Sequence, residues 1–598
     1  MFKFIKEFFS LLTVSQRKKF FLFQFLIVFM SFIEVASIIS ITPFMALVAD
    51  PTILSQENLL ATLYLKSNLE TYEFIFYSGF VVLLFLTIST IVSMIITWSL
   101  SMFAAKIGTD IANRLYSHYL DQEWLFHTVK SGSNLTKKIT IESNRVGNQI
   151  VAPLMQMNAR IILVFFILIV MFLYDPFIVI FGSIIFISGY IILFKFVGVS
   201  LEKNNKIISK MLTKRFKLLA NGFGGIRDIL ILGKSNYFKS EFNKSSDNLA
   251  YSEGTNIGMG TVPRYLIELL AFGSMIALVL YLIKKSNNDL SIILPILSVY
   301  GLAAMKLLPS LQVIYNSLTI VKGNLSAYEA IKEDLKRIKT FKTKKNDNTQ
   351  AVWSKNNEII LKEATFIYPG KNSPALDNIS LKIRPNTLVG FVGTSGSGKS
   401  TIADLISGLI VPKQGKVIID KIPLDEHNIN LWKKKIGFVS QAIFLIEGTI
   451  AENIAFGVSE DLIDYKKIEK VLKLSDLYEF VSKLEKRVNS KVGERGVQLS
   501  GGQRQRIGIA RTLYSDADVL IFDEATSALD GITEKTIMDS IQGFLGKKTL
   551  ILIAHRLTTI KKCDEIFMME NGKIVDQGKY EYLLSNNKKF KKMSDNTE

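Results

Sequence analysis

The sequence LSGGQRQRIGIARTLYSDADVLIFDEATSALD, residues Leu499–Asp530, decides the fold of the C-terminal part of the chain. It joins a Ser-Gly-Gly-Gln turn that opens a helix to a buried apolar strand, Val519–Phe522, which ends in Asp523 and Glu524. An apolar strand that delivers acids to its C-terminal edge is typical of a nucleotide site in an open α/β sheet. Asp523 suits a Mg²⁺ ligand, and Glu524 suits the polarisation of an attacking water. The Ser-Gly-Gly turn, at a helix N-terminus, is a second phosphate-binding surface.

A glycine-rich loop lies upstream, after the apolar strand at 388–392. Its residues are Gly393, Thr394, Ser395, Gly396, Ser397, Gly398, Lys399, Ser400 and Thr401. They match the pattern GxxxxGK[ST] in its required setting, after a strand and before a helix. The pattern predicts that backbone N–H groups surround phosphates, that Lys399 neutralises the β and γ oxygens, and that the Ser400 hydroxyl binds Mg²⁺.

Three more residues fit around such a site. Tyr368, before the first sheet, is predicted to stack on adenine, although a strand-edge tyrosine is the alternative. Gln441 ends the predicted strand at 436–441, and the predicted strand at 550–554 ends on His555. A polar residue at a strand end usually caps a loop, but around one phosphate site this pair can sense a γ-phosphate.

Composition excludes an ordinary soluble enzyme. The 598 residues are 48% hydrophobic, with mean hydropathy +0.27, and the long apolar runs fall in the first half. The net charge of +19 is dispersed, without the compact basic and aromatic cluster of a nucleic-acid site, so no nucleic-acid partner is expected. It fits the cytoplasmic face of a membrane protein. The lone Cys563 excludes an intrachain disulfide framework.

The first half predicts an α-helical membrane domain with six spans. The spans lie at about 20–48, 74–103, 153–174, 177–199, 262–283 and 292–321. Short external connections alternate with two long cytoplasmic excursions, and the basic Arg17-Lys18-Lys19 keeps the N-terminus cytoplasmic. An interfacial helix is predicted at 1–12 and an external amphipathic helix within 50–73. We expect a membrane domain at 1–331, a charged linker at 332–357, and an α/β phosphate-loop ATPase domain at 358–598.

These motifs together resemble the ATP-binding cassette family over nearly the whole chain. In order, the matching elements are Tyr368, the loop 393–401, Gln441, the Leu499–Gln503 turn, Asp523-Glu524, Ser527–Asp530 and His555. The segment Lys491–Gly496 and the six spans ahead of the cassette look like those of exporters, which implies the type I exporter fold.

The resemblance also implies ATP and Mg²⁺ as cofactors and a homodimer as the assembly. In the family, the Ser-Gly-Gly turn of one subunit closes over ATP held by the phosphate loop of the other. Glu524 would be the catalytic base, with His555 at the γ-phosphate and Lys399 completing the catalytic set. The nucleotide-binding set would further include Ser500, Gly501, Gly502, Gln503 and Asp530, and the Mg²⁺ ligands would be Ser400, Gln441 and Asp523. Short helices near 124–129 and 225–233 are candidates for contact with the cassettes.

Ionisable residues within spans are candidates for the substrate site. Glu34 lies in the first span, Arg160 in the third, Arg264 and Glu268 in the fifth, and Lys306 in the sixth. The cations predict a lining that attracts a phosphate or pyrophosphate headgroup. The alternative is that Arg160 and Arg264 lie in cytoplasmic extensions, and that Glu34 bonds a neighbouring helix.

The segments around these residues are similar to bacterial lipid-linked oligosaccharide flippases. That similarity implies ATP-driven flipping of a polyprenyl-pyrophosphate-linked glycan across the inner membrane, with Arg264, Lys306 and Glu34 in the substrate site and the ATPase domain cytoplasmic. The second span lacks the basic residue that this group has there. An exporter of peptides, drugs or other lipids is the alternative, and an ATP-gated channel is also possible.

Overall fold

The computed structural model describes residues 2–49, 51–55, 59–67, 69–174, 176–285, 290–341, 353, 357–493, 496–524, 531–554 and 557–595. The chain forms two compact units. The first contains residues 1–122 and 127–345, and the second contains residues 123–126 and 346–598.

The first unit is helical in its described residues. Its helices are α1 Phe2–Leu11, α2 Val14–Ile39, α3 Ile41–Ala49, α4 Leu59–Ser67, α5 Thr71–Leu120, α6 Trp124–Val129 (of which residues 124–126 are assigned to the second unit), α7 Gly132–Lys137, α8 Ser143–Arg145, α9 Ala152–Tyr174, α10 Pro176–Gly224, α11 Ile226–Ile231, α12 Ser235–Thr261, α13 Pro263–Lys285 and α14 Leu290–Phe341. Helices therefore cover all six predicted spans. Among the described residues, three stretches are long and apolar enough to cross a membrane: Val14–Val48, Thr71–Leu120 and Gly132–Leu173.

The first predicted span is divided between α2 and α3 at Ser40. Pro43 explains the break, because proline cannot donate a backbone hydrogen bond and its ring crowds the carbonyl four residues earlier. The predicted external helix is α4, although Asp50, 56–58 and 68 lie outside the described residues.

Two π-helical turns, at Lys138–Glu142 and Val146–Val151, interrupt the helix between α7 and α9. Here Gly108 of α5 and Gly147 approach so closely that a Cβ on Gly147 would lie 2.9 Å from the Ala104 carbonyl oxygen. A Cβ on Gly108 would lie 3.1 Å from the Ser143 carbonyl oxygen, so small residues favour this close approach on both sides. It fixes α5 against the chain that leads into α9.

Helix α14 extends ten residues into the segment predicted as a linker. Tyr328, Ile331, Leu335 and Ile338 are buried along one face. Their spacing of three and four residues is that of an amphipathic helix. Of the charged residues in this extension, Lys332 pairs with Glu7 of α1 at 2.6 Å. Most of residues 342–356 lie outside the described residues.

The second unit contains two sheets. Their strands are β1 Ile359–Phe366, β2 Leu376–Ile383, β3 Leu388–Gly393, β4 Gln414–Ile419, β5 Ile422–Pro423, β6 Ile436–Val439, β7 Val519–Asp523, β8 Thr549–Ile553, β9 Glu565–Glu570 and β10 Lys573–Gly578. One sheet is antiparallel in the order β2-β1-β4-β5, and the other has the order β10-β9-β3-β8-β7-β6. Strands β9, β3, β8, β7 and β6 are parallel, so their carboxyl ends share one edge.

Alternate residues of the central strands enter two different cores. In β3, Leu388 and Val392 pack into a cluster with the helical part of the unit, whereas Val389 and Phe391 pack towards the antiparallel sheet. Burial on both faces explains why these strands read as continuous apolar runs. Burial of apolar surface, at about 25 cal/mol per Å², stabilises the sheet that carries the site.

The second unit also contains helices, some of which pack against the large sheet and others against one another. They are α15 Lys399–Ile406, α16 Ile429–Lys433, α17 Ile450–Ile454, α18 Tyr465–Leu474, α19 Tyr478–Ser482, α20 Gly501–Tyr514, α21 Gly531–Gln542, α22 Tyr580–Asn586 and α23 Lys588–Asp595. Leu125, within the part of α6 that belongs to this unit, packs against the β1–β2 side of its core.

Candidate functional site: an ATP site at the carboxyl edge of the parallel sheet

The glycine-rich loop connects β3 to α15 at the carboxyl edge of the large sheet. Gly398 has φ +103° and is the N-cap of α15. A Cβ at this position would lie 2.7 Å from the Ala375 carbonyl oxygen, so both the conformation and the space require glycine. The loop is thereby held as a tight curve ahead of a helix N-terminus, where backbone N–H groups point outward.

Two side chains of the loop turn into this curve. The Lys399 ammonium donates to the carbonyl oxygens of Gly393 at 2.8 Å and Thr394 at 3.0 Å. Burial lowers the pKa of Lys399, and the carboxylates of Glu524 and Asp523 oppose that shift. The Ser397 hydroxyl is buried, and within the described part of the chain it has no hydrogen-bond partner. A buried cation on carbonyl groups and an unsatisfied hydroxyl in one loop fit a phosphate ligand that supplies the missing acceptors.

The predicted acids stand beside the loop. Asp523 ends β7, and the Ser400 hydroxyl donates to it at 3.4 Å. Glu524 follows with φ +51°, a left-handed conformation that is uncommon for a residue with a side chain. The Gln441 amide, beyond the end of β6, donates to the Glu524 carboxylate at 2.6 Å. The structure thus brings together Lys399, Ser400, Gln441 and both acids, as the sequence predicts.

The hydroxyl–carboxylate pair Ser400–Asp523 is a donor set suited to a hard cation. Mg²⁺ would be held there by Ser400 and Asp523, with Gln441 in reach of the same edge, and would neutralise developing charge on the phosphates.

Tyr368 lies next to the loop, because its hydroxyl is 3.3 Å from that of Thr401 on α15. Its ring is half-buried against Phe366, edge to face at 4.9 Å between centroids. Stacking on adenine stays a prediction. The other predicted site residues on this edge, His555 and Asp530, lie outside the described residues, as do Ser527, Ala528 and Leu529.

The predicted second phosphate surface is the N-terminus of α20. Ser500 is the N-cap: its hydroxyl accepts from the Gln503 N–H at 3.2 Å, and the Gln503 side chain accepts from the Ser500 N–H at 2.9 Å. This reciprocal pair of hydrogen bonds satisfies two of the backbone N–H groups at the start of the helix. Gly501 and Gly502 supply first-turn N–H groups without a bulky side chain in front of them.

Arg511 is a site-supporting residue that the sequence did not reveal. It donates from α20 to the carbonyl oxygens of Phe444 at 3.0 Å and Asn453 at 2.8 Å. Burial lowers its pKa. The bonds fix α20 to the segment that follows Gln441, and they join parts of the chain too far apart for a spacing rule to find.

Comparison with known proteins gives the family. Residues 376–527 match the model described as "ABC transporter", and residues 20–299 match "ABC transporter transmembrane region". The ATP-dependent lipid A-core flippase of Photorhabdus laumondii is 30% identical over 82% of this chain and 83% of its own. This chain is an ABC transporter.

The ABC transporter has further relatives. The ATP-dependent lipid A-core flippase of Escherichia coli (strain K12) is 29% identical over 83% of this chain and 84% of its own. The structure of a bacterial Atm1-family ABC exporter with ATP bound superposes with a TM-score of 0.77 at 20% identity, covering 95% of this chain and 97% of that one. The helical unit therefore has the type I exporter fold, fused to an ATP-hydrolysing cassette.

Asp404 is a second residue of the transporter that sequence reasoning missed. It lies on α15 one turn after Ser400, and burial, assisted by the charge of Asp523, raises its pKa to about 6. An ionised carboxylate there is unfavourable in the folded protein. In the unfolded chain the pKa of Asp404 is near 3.8. The loss of folding stability caused by ionising Asp404 therefore begins as pH rises above about 4 and is complete above about 6.

Asp404→Asn should therefore raise Tm at pH 8, by an amount equivalent to about 2 kcal/mol, and the gain should fall by about half at pH 5. The measurement is thermal unfolding of the detergent-purified transporter in EDTA without nucleotide. Asp461→Asn, an exposed acid of the same unit, is the control and should leave Tm unchanged. An equal gain at both pH values would show that ionisation of Asp404 is not the cause.

The membrane-domain candidates fall into two groups, one shared by three helices and one within a single helix. Lys306 of α14 contacts the Glu34 carboxylate of α2 at 3.3 Å, and Arg160 of α9 lies 3.9 Å from the same oxygen. Arg264 pairs with Glu268 one turn along α13. The structure thus brings Glu34, Arg160 and Lys306 together, while Arg264 bonds within its own helix.

Proposed function

We propose that this transporter is a homodimeric flippase of the inner membrane that moves a polyprenyl-pyrophosphate-linked oligosaccharide. In this proposal the membrane domain is 1–331 and the cytoplasmic ATPase domain is 358–598. The observation that carries it is the group of cations at membrane depth, Lys306 and Arg160, which lie around one buried carboxylate. Charged residues within spans are costly unless function retains them.

Pyrophosphate recognition is supported by the chemistry of the cations. An arginine guanidinium offers several donors in a fork that matches phosphate oxygens, and a lysine adds a point charge. Lys306 and Arg264 both retain substantial side-chain exposure, 47% and 54%, so a ligand can reach them. The side chain of Glu34, by contrast, is 10% exposed and is approached by its two cations.

A second candidate substrate is lipid A-core, because relatives at 29–30% identity are named for it. Both candidates are anionic lipids that carry sugars, and both would use the same cations. Peptides and drugs share neither feature as a class. The proposal therefore commits to an anionic glycolipid and, within that class, to the pyrophosphate-linked one.

The ATP sites of the proposal are shared between subunits. Lys399, Ser400, Asp523 and Glu524 would act on the nucleotide of their own chain, and the Ser500 turn would contact the partner's. Glu524 would accept the proton of the attacking water. Gln441 would orient the Glu524 carboxylate through the 2.6 Å hydrogen bond. ATP can bias the membrane helices only through its preference for the closed pair of cassettes.

Arg264→Ala with Lys306→Ala should reduce transport of a pyrophosphate-linked lipid at least about tenfold, the change that roughly 1.4 kcal/mol makes, while basal ATPase activity survives. The reason is that the substitutions remove headgroup contacts without touching the cassette. The measurement is flipping of a fluorescent polyprenyl-pyrophosphate-linked oligosaccharide in proteoliposomes, together with phosphate release.

Lys203→Ala with Lys210→Ala is the matched control, since it also removes two exposed positive charges from the helical unit. It should transport normally. Unchanged flipping in the Arg264/Lys306 variant would show that these cations are not part of the substrate site. Stimulation of ATPase activity by lipid A-core alone would favour the second candidate substrate.

A further inference from the structure

The three-helix contact of α2, α9 and α14 contains an unbalanced charge cluster. The Oε1 atom of Glu34 is approached by both Lys306 and Arg160, at 3.3 and 3.9 Å. The Oε2 atom is buried and has no hydrogen-bond partner among the residues that the structure describes. Two cations against one carboxylate leave a net charge of about +1 at membrane depth, where the low dielectric makes it attractive to an anion.

The cations are open to approach, whereas the carboxylate is not. The side chains of Arg160 and Lys306 are 34% and 47% exposed, and that of Glu34 is 10% exposed. An incoming anion can therefore reach the cations on the sides that do not face Glu34.

An apolar cavity of about 330 Å³ lies beside this cluster. Its lining includes Val35, next to Glu34; Ile167, two turns along α9 from Arg160; and Ala303, one turn along α14 from Lys306. Thr42, Pro43 and Ala46 of α3 and Val170 and Met171 of α9 complete the wall with Ile38 and Ile39. On all three helices the cavity lies towards the same end of the bundle, so the charges stand at one end of an apolar chamber. Such a cavity is large enough to hold part of a ligand.

We infer that Glu34 is a displaceable internal anion. In the absence of substrate, Glu34 pairs with Arg160 and Lys306. When an amphiphilic substrate binds, its phosphate headgroup replaces Glu34 as the partner of these cations, and its apolar chain enters the adjoining cavity. This inference rests on the proposed function and deepens it, because it assigns Glu34 as the residue that sets substrate affinity.

The physical reason lies in the balance of charges. Without Glu34 the two partly exposed cations would lie near each other with no counter-charge, which is unfavourable when no substrate is bound. With a phosphate bound, Glu34 becomes a like charge next to the ligand and weakens its binding. A transporter gains from this weakening, since the substrate must leave after it has been moved.

Glu34→Gln should therefore bind dodecyl phosphate about tenfold more tightly than the native protein and release it more slowly, with a lower rate of transport. Binding is measured on the full-length protein in nanodiscs by displacement of a fluorescent dodecyl phosphate. Dodecyl maltoside, butyl phosphate and inorganic phosphate are the competing ligands. Glu253→Gln, an exposed acid on α12, is the matched control and should leave the affinity unchanged.

Two further variants separate charge from chain. In a Lys306→Gln background, Glu34→Gln should have a clearly smaller effect, because one of the two cations for which both anions compete is absent. Ala46→Phe should fill the cavity, so the affinity for dodecyl phosphate should fall while the affinity for butyl phosphate stays unchanged. Glu34→Asp, which keeps the charge but retracts it, should tighten binding by a smaller factor and covers the case in which the glutamine variant fails to fold.

The inference is overturned if Glu34→Gln binds dodecyl phosphate with unchanged or weaker affinity. It is overturned as well if the substitution increases the affinity for dodecyl maltoside by the same factor as that for dodecyl phosphate. It is also overturned if inorganic phosphate binds as tightly as dodecyl phosphate, since the cavity would then contribute nothing. Failure of the native protein to bind any alkyl phosphate is a different result, because it would contradict the proposed anionic substrate itself.

Discussion

Glu524→Gln is expected to lower steady-state ATP turnover at least about 100-fold while ATP binding is retained. Glutamine keeps the size of the side chain and can still bond to the Gln441 amide, but it cannot hold the proton of an attacking water. The phosphate loop, with Lys399 and Ser397 turned into it, is untouched. The protein should therefore accumulate bound, uncleaved ATP.

The measurement for this variant is phosphate release beside equilibrium binding of ATP. Glu485→Gln, an exposed acid elsewhere in the same unit, is the control and should turn over normally. Near-normal turnover in Glu524→Gln would mean that another group is the base.

Subunits carrying different lesions are expected to restore each other. Ser500→Arg blocks the turn that would contact the partner's nucleotide, and Lys399→Ala removes the cation of the phosphate loop. Each homodimer has two damaged sites. A heterodimer of the two variants has one site with both lesions and one intact site, if each ATP is shared between subunits.

Heterodimers purified on two tags should therefore trap about one nucleotide per dimer with vanadate, and homodimers of either variant close to none. Turnover of the heterodimer should exceed that of the homodimers at least about tenfold. A heterodimer that traps no more nucleotide than the homodimers would contradict shared sites and would assign Ser500 to its own chain.

Motif reasoning predicted the cassette well because its signals are local. The loop 393–401 requires a strand before it and a helix after it, and both are present as β3 and α15. Parallel strands bring their carboxyl ends to one edge, so Gln441 and Glu524 could be expected to meet although 83 residues separate them. Asp404 gave no such signal, because its raised pKa depends on burial that only the packed domain creates.

The membrane domain was predicted in outline but not in detail. Hydropathy located the helices, yet it could not show that Lys306 and Arg160 converge on Glu34, since helix rotation is set by packing. The charged segment after residue 331 favoured a linker by composition. The apolar residues at 331, 335 and 338 have helical spacing, and α14 continues through this segment as far as Phe341. That periodicity was the signal that composition concealed.

The central claim is that this ABC transporter uses ATP hydrolysis to move an anionic lipid-linked glycan across a membrane. The most direct test is transfer of a fluorescent polyprenyl-pyrophosphate-linked oligosaccharide between leaflets of proteoliposomes, with and without ATP, for the native protein and for Glu524→Gln. We predict transfer that requires ATP and is lost in the variant. Transfer at the same rate without ATP, or no transfer while the native protein hydrolyses ATP, would contradict the claim.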